Sequence, residues 1–298
     1  MASGKYLDPK ADLTFKKVFG EHPELVMSLL NALLPLDEGK QIEHVEYLPA
    51  EMVPENPGKK NSIVDVRCRE TGGRHFIVEM QMNWNHEFEQ RVILNASKAI
   101  IKQLDTNEDY KLLQPVYALN LINDVGFQAA PDEFYHDYAI VNVAHTDRII
   151  EGLRFVFVEL PKFKPQTIKE KKMAVLWLRF LTEINKGTRE APKELLENPD
   201  TKKALRILEK SAYTEGELYA YERYWDYVNY ERGIVEGGYY KGLAEGVAKG
   251  HAEGRAEGME KGEAKANREN ARKMKALGVD DKVICQVTGL TEEEVSVL

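Results

Sequence analysis

Apolar and polar positions alternate most clearly between Ser62 and Met82, SIVDVRCRETGGRHFIVEMQM. On a strand, Val64, Val66 and Cys68 share one face and Asp65, Arg67 and Arg69 the other. In the following run Phe76, Val78, Met80 and Met82 oppose Glu79 and Gln81. Thr71-Gly72-Gly73-Arg74 predicts the turn that joins two strands into a hairpin. The apolar faces merge if Asp65 lies across from Gln81 and Arg67 across from Glu79, through a loop of odd length or a bulge. A two-residue turn would set Asp65 beside Met80 and split both faces. The expected hairpin therefore has one apolar face for a core and one face carrying two carboxylates and an amide.

Helical and strand periods alternate around this hairpin. Asp12 is the expected N-cap of a helix bearing Phe15, Val18 and Phe19. Pro23 opens a second helix, to Leu34, and His44 to Leu48 reads as a short strand. Glu51 to Lys60, with two prolines and a glycine, reads as a mobile loop. His86 to Leu104 is the next helix, with Phe88, Val92, Asn95, Ala99 and Gln103 along one side. Strands follow at Val116 to Ile122, Tyr138 to Val143 and Leu153 to Glu159. This order predicts an α/β fold, a mixed sheet flanked by helices.

The chain then turns helical. Ile168 to Glu183, Thr201 to Ser211 and Glu215 to Tyr230 have apolar residues at helical spacing. The last of these carries Tyr219, Tyr221, Tyr224, Trp225, Tyr227 and Tyr230, read as an interhelical packing layer rather than a base-stacking surface. Glycines then recur every fourth residue at Gly238, Gly242, Gly246, Gly250, Gly254, Gly258 and Gly262. Such a stripe predicts a helical spacer that associates with a second copy, the alternative being a loose linker to the tail, and its charges exclude a membrane setting. In the tail, Gly278 is a C-cap candidate and Thr291 with Glu294 a capping box. Ile284, Val287, Leu290, Val295 and Leu298 are its expected small core. The resulting expectation is four segments: residues 1–165, 166–232, 233–272 and 273–298.

Net charge of −8 over 298 residues excludes a uniformly basic coat, so nucleic-acid binding requires a local basic surface. Lys16, Lys17, Arg67, Arg69, Arg91, Lys98 and Lys102 lie near the hairpin in sequence. Cys68 and Cys285 form neither a metal-spaced cluster nor a disulfide framework, and His136 and His145 lack ligand spacing. The first residues, MASGKYLDPK, lack a signal-peptide core, and no apolar run reaches membrane-spanning length. A soluble cytoplasmic protein, not membrane-bound, is expected.

Two carboxylates on rigid strands repel unless a cation, a proton or an arginine compensates. Mg²⁺ prefers such hard oxygen ligands, and a divalent ion can activate water and neutralise charge developing on a phosphate. The competing reading is a solvated polar face with Arg67 paired to Glu79. Asp65 followed by Glu79-Met80-Gln81 resembles the core of the PD-(D/E)XK nuclease superfamily, with Gln81 where lysine usually stands. Asp12 to Gly20 (DLTFKKVFG), and Phe88, Arg91, Ser97 and Lys98, resemble its recombination-promoting nuclease and transposase-like branch. Departures are Asn95, in place of an expected aromatic residue, and the lack of a proline directly before Asp65.

The resemblance implies a restriction-endonuclease-like fold and Mg²⁺-dependent hydrolysis of DNA, other divalent cations also being compatible. It implies low sequence specificity and a role in recombination or mobile-element biology. Asp65, Glu79 and the Met80 carbonyl would hold the metal, Gln81 would orient water or the scissile phosphate, and Asp12 would add a nearby carboxylate. Arg91, Lys98 and Lys16 would contact DNA. Two alternatives stay open. Because glutamine carries no charge to stabilise the reaction, one is a catalytically weak or inactive DNA-binding or assembly protein on the same fold. The other is an RNA nuclease.

Overall fold

The computed structural model describes residues 4–52, 62–85, 87–105, 107–165 and 172–298. Most of the loop expected over Glu51 to Lys60 lies outside these residues, as do His86 and the helix start expected at residues 168–171. In chain order, α1 (Asp12–Phe15) runs into a π-helical turn, Lys16–Gly20, and is followed by α2 (Pro23–Leu33). Strands β1 (Val45–Tyr47), β2 (Glu51–Met52), β3 (Ser62–Ile63), β4 (Val66–Glu70) and β5 (His75–Gln81) come next. Then follow α3 (Phe88–Ile101), β6 (Val116–Ile122), β7 (Tyr135–Asn142) and β8 (His145–Glu159). The helices α4 (Lys172–Glu183), α5 (Lys193–Glu197), α6 (Pro199–Ile207), α7 (Glu215–Ala276), α8 (Asp281–Thr288) and α9 (Glu292–Ser296) complete the chain.

Six strands form one mixed sheet in the order β1-β4-β5-β6-β8-β7, while β2 and β3 pair separately. The β5–β6 and β6–β8 pairs are parallel and the remainder antiparallel. Parallel central strands need both faces covered. On one face Val66, Cys68, Phe76, Val78, Leu119, Leu121, Val156 and Val158 meet helices α1, α2, α4 and α6. Phe19 packs edge-on against Trp177 at 5.3 Å and beside Phe15 at 4.9 Å. Such aromatic pairs add about 0.5–1.5 kcal/mol beyond their buried area. On the other face Ile77, Ala118, Ile122 and Phe157 meet Phe88, Val92, Ala96 and Ala99 of α3. Asp12 is not the N-cap: Ala11 takes that position, and Asp12 lies in the first turn, 2.6 Å from Lys16.

The hairpin keeps the expected parity but not the expected offset. Val66 pairs with Val78, Arg67 with Ile77, Cys68 with Phe76 and Arg69 with His75. Arg67 therefore faces Ile77, not Glu79, and the polar-face reading with an Arg67–Glu79 pair falls with the register. The reason is a tighter loop, closed between Glu70 and Arg74, so that the connection is two residues shorter than expected. Glu70 N donates to Arg74 O at 3.0 Å, and the two side chains form an ion pair across the loop mouth. Gly73 closes the loop at φ +95°, and a Cβ there would stand 2.8 Å from Gln114 Cγ.

The chain divides into two compact units, one up to Glu231 and one from Arg232 to Leu298. A single helix, α7, runs through the stretch where a separate spacer was expected. In the second unit Ala271, Ile284 and Val295 are buried together with Met274, Val279, Cys285, Leu290 and Leu298 around them. Val287, expected there, is 66% exposed. The Thr291–Glu294 capping box is formed and Gly278 adopts φ +78°.

The turn gives a first prediction. Gly73→Ala combines a strained φ with a clash against Gln114, so urea unfolding should show a loss of about 1–3 kcal/mol. Gly72→Ala, whose Cβ would meet only the movable Glu70 side chain, should cost less.

Candidate active site

Strand period 2 places Glu79 and Gln81 on the sheet face covered by α3, where Ile77 is buried. In the parallel ladder Glu79 lies beside Asn120 and Gln81 beside Ile122. Asp65 precedes β4, where the backbone ladder opens. Continued at the same register, the ladder would pair Val64 with Met80; instead Val64 N donates to Ala50 O at 3.2 Å. The Asp65 side chain takes over the freed donor, accepting the Met80 N–H at 2.7 Å. Asp65 is thus fixed to the β5 backbone next to Glu79.

Glu79 is buried, at 7% exposure. Its Oε1 accepts from Asn95 Nδ2 at 2.7 Å, and its Oε2 lies 3.9 Å from an Arg91 terminal nitrogen. Gln81 Nε2 donates to Asn83 O at 2.5 Å, and Gln81 Oε1 accepts from Arg91. The Arg91 guanidinium also stacks on Phe88, 5.0 Å from the ring centre. Among the described residues Arg91, at the long edge of ion-pair distance from Glu79, is the one cation so placed, and Asp65 has none within 4.0 Å. Burial pushes the Asp65 carboxyl up to about 7; its bond from Met80 N opposes this, the charges of Glu79 and Asp12 add to it and Lys16 opposes. Burial likewise raises Glu79, against the Asn95 hydrogen bond and Arg91.

The structure thus brings Asp65, Glu79, Gln81 and Arg91 together, with the Asp12–Lys16 pair close enough to act on Asp65. Lys98 is engaged elsewhere, donating to Ser62 Oγ at 2.6 Å. Among the described residues no group of three or more His, Cys, Asp or Glu side chains is arranged to hold a metal. His136 is bound to Glu159 at 2.8 Å, in a buried network with Lys162, and His145 is exposed.

Sequence reasoning missed three participants. Asn95 lies on the apolar side of α3 and is 2% exposed; a polar residue in that stripe was the available signal. Asn83 donates to Val228 O and to Glu231 Oε2, each at 3.4 Å, tying the end of β5 to the first turns of α7. Tyr224 lies on the same stretch of helix; burial first, then the charges of Asp65 and Asp12, keep its phenol protonated well above the usual range. The aromatic run therefore splits, with Tyr221 buried and Tyr219, Tyr227 and Tyr230 exposed.

A family model described as PD-(D/E)XK nuclease family transposase matches residues 9–235. Neither the curated proteins nor the solved structures gave a significant match.

The raised Asp65 carboxyl fixes a pH dependence. Its folded value, about 7, exceeds the ordinary 3.8, so its contribution is fully present below pH 3.8 and lost as pH rises through 7. The ceiling is about 4 kcal/mol. In EDTA, Asp65→Asn keeps the bond to Met80 N and removes the charge. The variant should match the wild type near pH 4 and exceed it in stability by pH 8. A difference independent of pH in parallel urea titrations would refute the assignment.

Proposed function

The chain belongs to the PD-(D/E)XK nuclease family transposases, and on that premise we propose that it is a divalent-metal-dependent DNA endonuclease. We assign it low sequence specificity and a place in recombination or mobile-element movement. The observation that carries this reading is the pair Asp65 and Glu79. Each is held by one neutral donor, the Met80 N–H and the Asn95 amide, and their charge is left uncompensated at bonding distance. Hard oxygen donors with surplus negative charge suit Mg²⁺, which needs only one or two carboxylates and keeps its waters. Asp65, Glu79 and the Met80 carbonyl would hold the ion. Bound there, it would supply Lewis-acid stabilisation of the phosphate and lower the pKa of water.

The protein's own groups do the rest. Gln81 is clamped at both ends of its amide, by the Asn83 carbonyl and by Arg91, leaving one N–H to orient water or a phosphate oxygen. Arg91 brings to this position the positive charge that glutamine lacks. That arrangement favours an active enzyme over a binding protein on a decayed fold. Asp12 adds a carboxylate charge next to Asp65, and Lys16 and Lys98 extend the basic contacts to the nucleic-acid backbone. No helix among the described residues is long and apolar enough to cross a membrane, and we place the protein in the cytoplasm.

The decisive measurement is nicking of supercoiled plasmid with and without Mg²⁺. Asp65→Asn should lower the rate by at least 10²-fold, the scale expected when a group that stabilises the transition state is lost, while its circular dichroism spectrum stays native. Wild type that leaves plasmid intact but binds it would shift the reading to a DNA-binding or assembly protein. Cleavage of RNA in preference to DNA would shift it to an RNA nuclease.

We also propose that the region beyond Arg232 holds two copies together. In α7, Cβ atoms added at Gly238 to Gly262 would meet nothing within 4 Å, and Tyr239, Tyr240, Leu243, Val247 and Met259 are all exposed. Seven glycines at about 1 kcal/mol each would weaken a lone helix, and close helix–helix packing offsets that cost. A chain ending at Glu231 should scatter light as a smaller species and keep single-strand nicking. Equal masses for truncated and full-length protein would contradict self-association through this region.

A further inference from the structure

The β4–β5 face that carries Glu79 also holds a largely buried arginine with no counter-ion among the described residues. Arg67 is two residues beyond Asp65 and 7% exposed. Its Nε is sealed from solvent and has no hydrogen-bond partner. Among the described residues its guanidinium forms no ion pair within 4.0 Å. Glu46, on the neighbouring strand β1, pairs across the ladder with Arg69 and is engaged by it at 2.8 Å. Beside Arg67 on the same face is His75, also 7% exposed, whose Nδ1 is a second orphan. His75 is neutral at physiological pH, held down to about 4 by burial and by Arg67 and Arg69, so it adds no second positive charge and can still donate one N–H.

An arginine carries five donors and no acceptor. Leaving such a group buried without an anion costs several kcal/mol in general, and surface lysines would have sufficed for solubility. A fold retains it at that cost when a ligand completes it. The ligand must be an oxyanion that accepts from a planar fork of N–H groups, the geometry that phosphate offers. Residues two apart on a strand are about 7 Å apart, so a group bound by Arg67 lies next to, and not at, the Asp65–Glu79 carboxylates. We propose that Arg67 binds a phosphate group, namely a backbone phosphate of the nucleic acid neighbouring the one at the carboxylate pair, with His75 as its second donor. The nucleic-acid part of this assignment rests on the endonuclease reading; the phosphate site itself does not.

The test uses Arg67→Met and Arg67→Lys in the full chain, without divalent cations so that no cleavage intervenes. Labelled oligonucleotide binding is followed by anisotropy across a salt series. Arg67→Met should weaken binding about tenfold for every sequence and lower the slope of log K against log salt by about one. Arg67→Lys should retain the slope. Free Arg67→Met protein should melt at the same temperature as wild type or about 2–4 °C higher. Inorganic phosphate, compared with chloride at equal ionic strength, should raise the melting temperature of wild type only.

The arms separate the two sources of phosphate. Wild type that binds no oligonucleotide yet gains stability from phosphate through Arg67 supports the anion site and removes the nucleic-acid reading. A salt slope and a phosphate shift that are both unchanged in Arg67→Met overturn the proposal. So does an Arg67→Met chain that fails to fold or melts several degrees lower, because Arg67 would then be a structural residue packed through its stem.

Discussion

Placing the half-buried Asp65 and the buried Glu79 together, with no lysine or arginine among the described residues at hydrogen-bonding distance of either, is the constraint on which the central sheet turns. A charged group leaves water only when hydrogen bonds or a counter-charge replace the lost hydration. Here the replacements are few and specific. Asp65 takes the Met80 N–H that the opening β4–β5 ladder releases, and Glu79 takes the Asn95 amide. Both carboxyls are consequently pushed up. Carboxyls raised by burial in this way concentrate at functional positions.

The surrounding packing makes this arrangement rigid. One face of the sheet is sealed by the Phe15, Phe19, Trp177 and Phe180 cluster. On the other, Phe88, Val92, Ala96 and Ala99 hold α3 down, and the same helix delivers Arg91 and Asn95 to the carboxylates. Cross-chain ties bring the C-terminal end of the first unit to the same place. Tyr221 OH accepts from Asp8 N at 3.0 Å, Lys17 pairs with Glu217 at 2.5 Å and Asn83 reaches Val228. The family match ends at residue 235, so it covers these first turns of α7 as well as the sheet.

The sheet face of Glu79 separates positive from negative along a single hairpin. Near the open end of the ladder are the carboxylates, with Arg91 beside them. Toward the closed end are Arg67 and Arg69, beside the neutral His75, and among the described residues Arg69 is paired with Glu46 while Arg67 has no acid within 4.0 Å. A phosphodiester backbone presents a row of anions to such a surface. Overall the chain is acidic, at −8, so any attraction for such a backbone has to be local, and salt would screen it over about 10 Å at 0.1 M.

Local periodicity by itself determined which residues of Val66 to Gln81 share a face, the helices at Pro23 and Phe88, the strand Val116–Ile122 and the Thr291 capping box; Val64, expected on the face of Val66 and Cys68, lies instead in the opposite core with Ile77, because the chain leaves the ladder before β4. Each follows from a period of 2 or 3.6, or from capping chemistry within one turn. Parity of the hairpin register was legible for the same reason, because only odd-with-odd pairing merges the apolar faces. The offset was not. It depends on the Glu70–Arg74 pair across the loop and on Phe76 entering the core opposite Cys68. Nor did the sequence disclose that Asn95 would meet Glu79, that Lys98 would turn to Ser62, or that Arg67 would be buried without a partner among the described residues. These are contacts between residues 16 and 36 positions apart, or their absence, and only the packing of α3 on the sheet decides them. Period and composition say which way a side chain faces; the tertiary structure decides what it finds there.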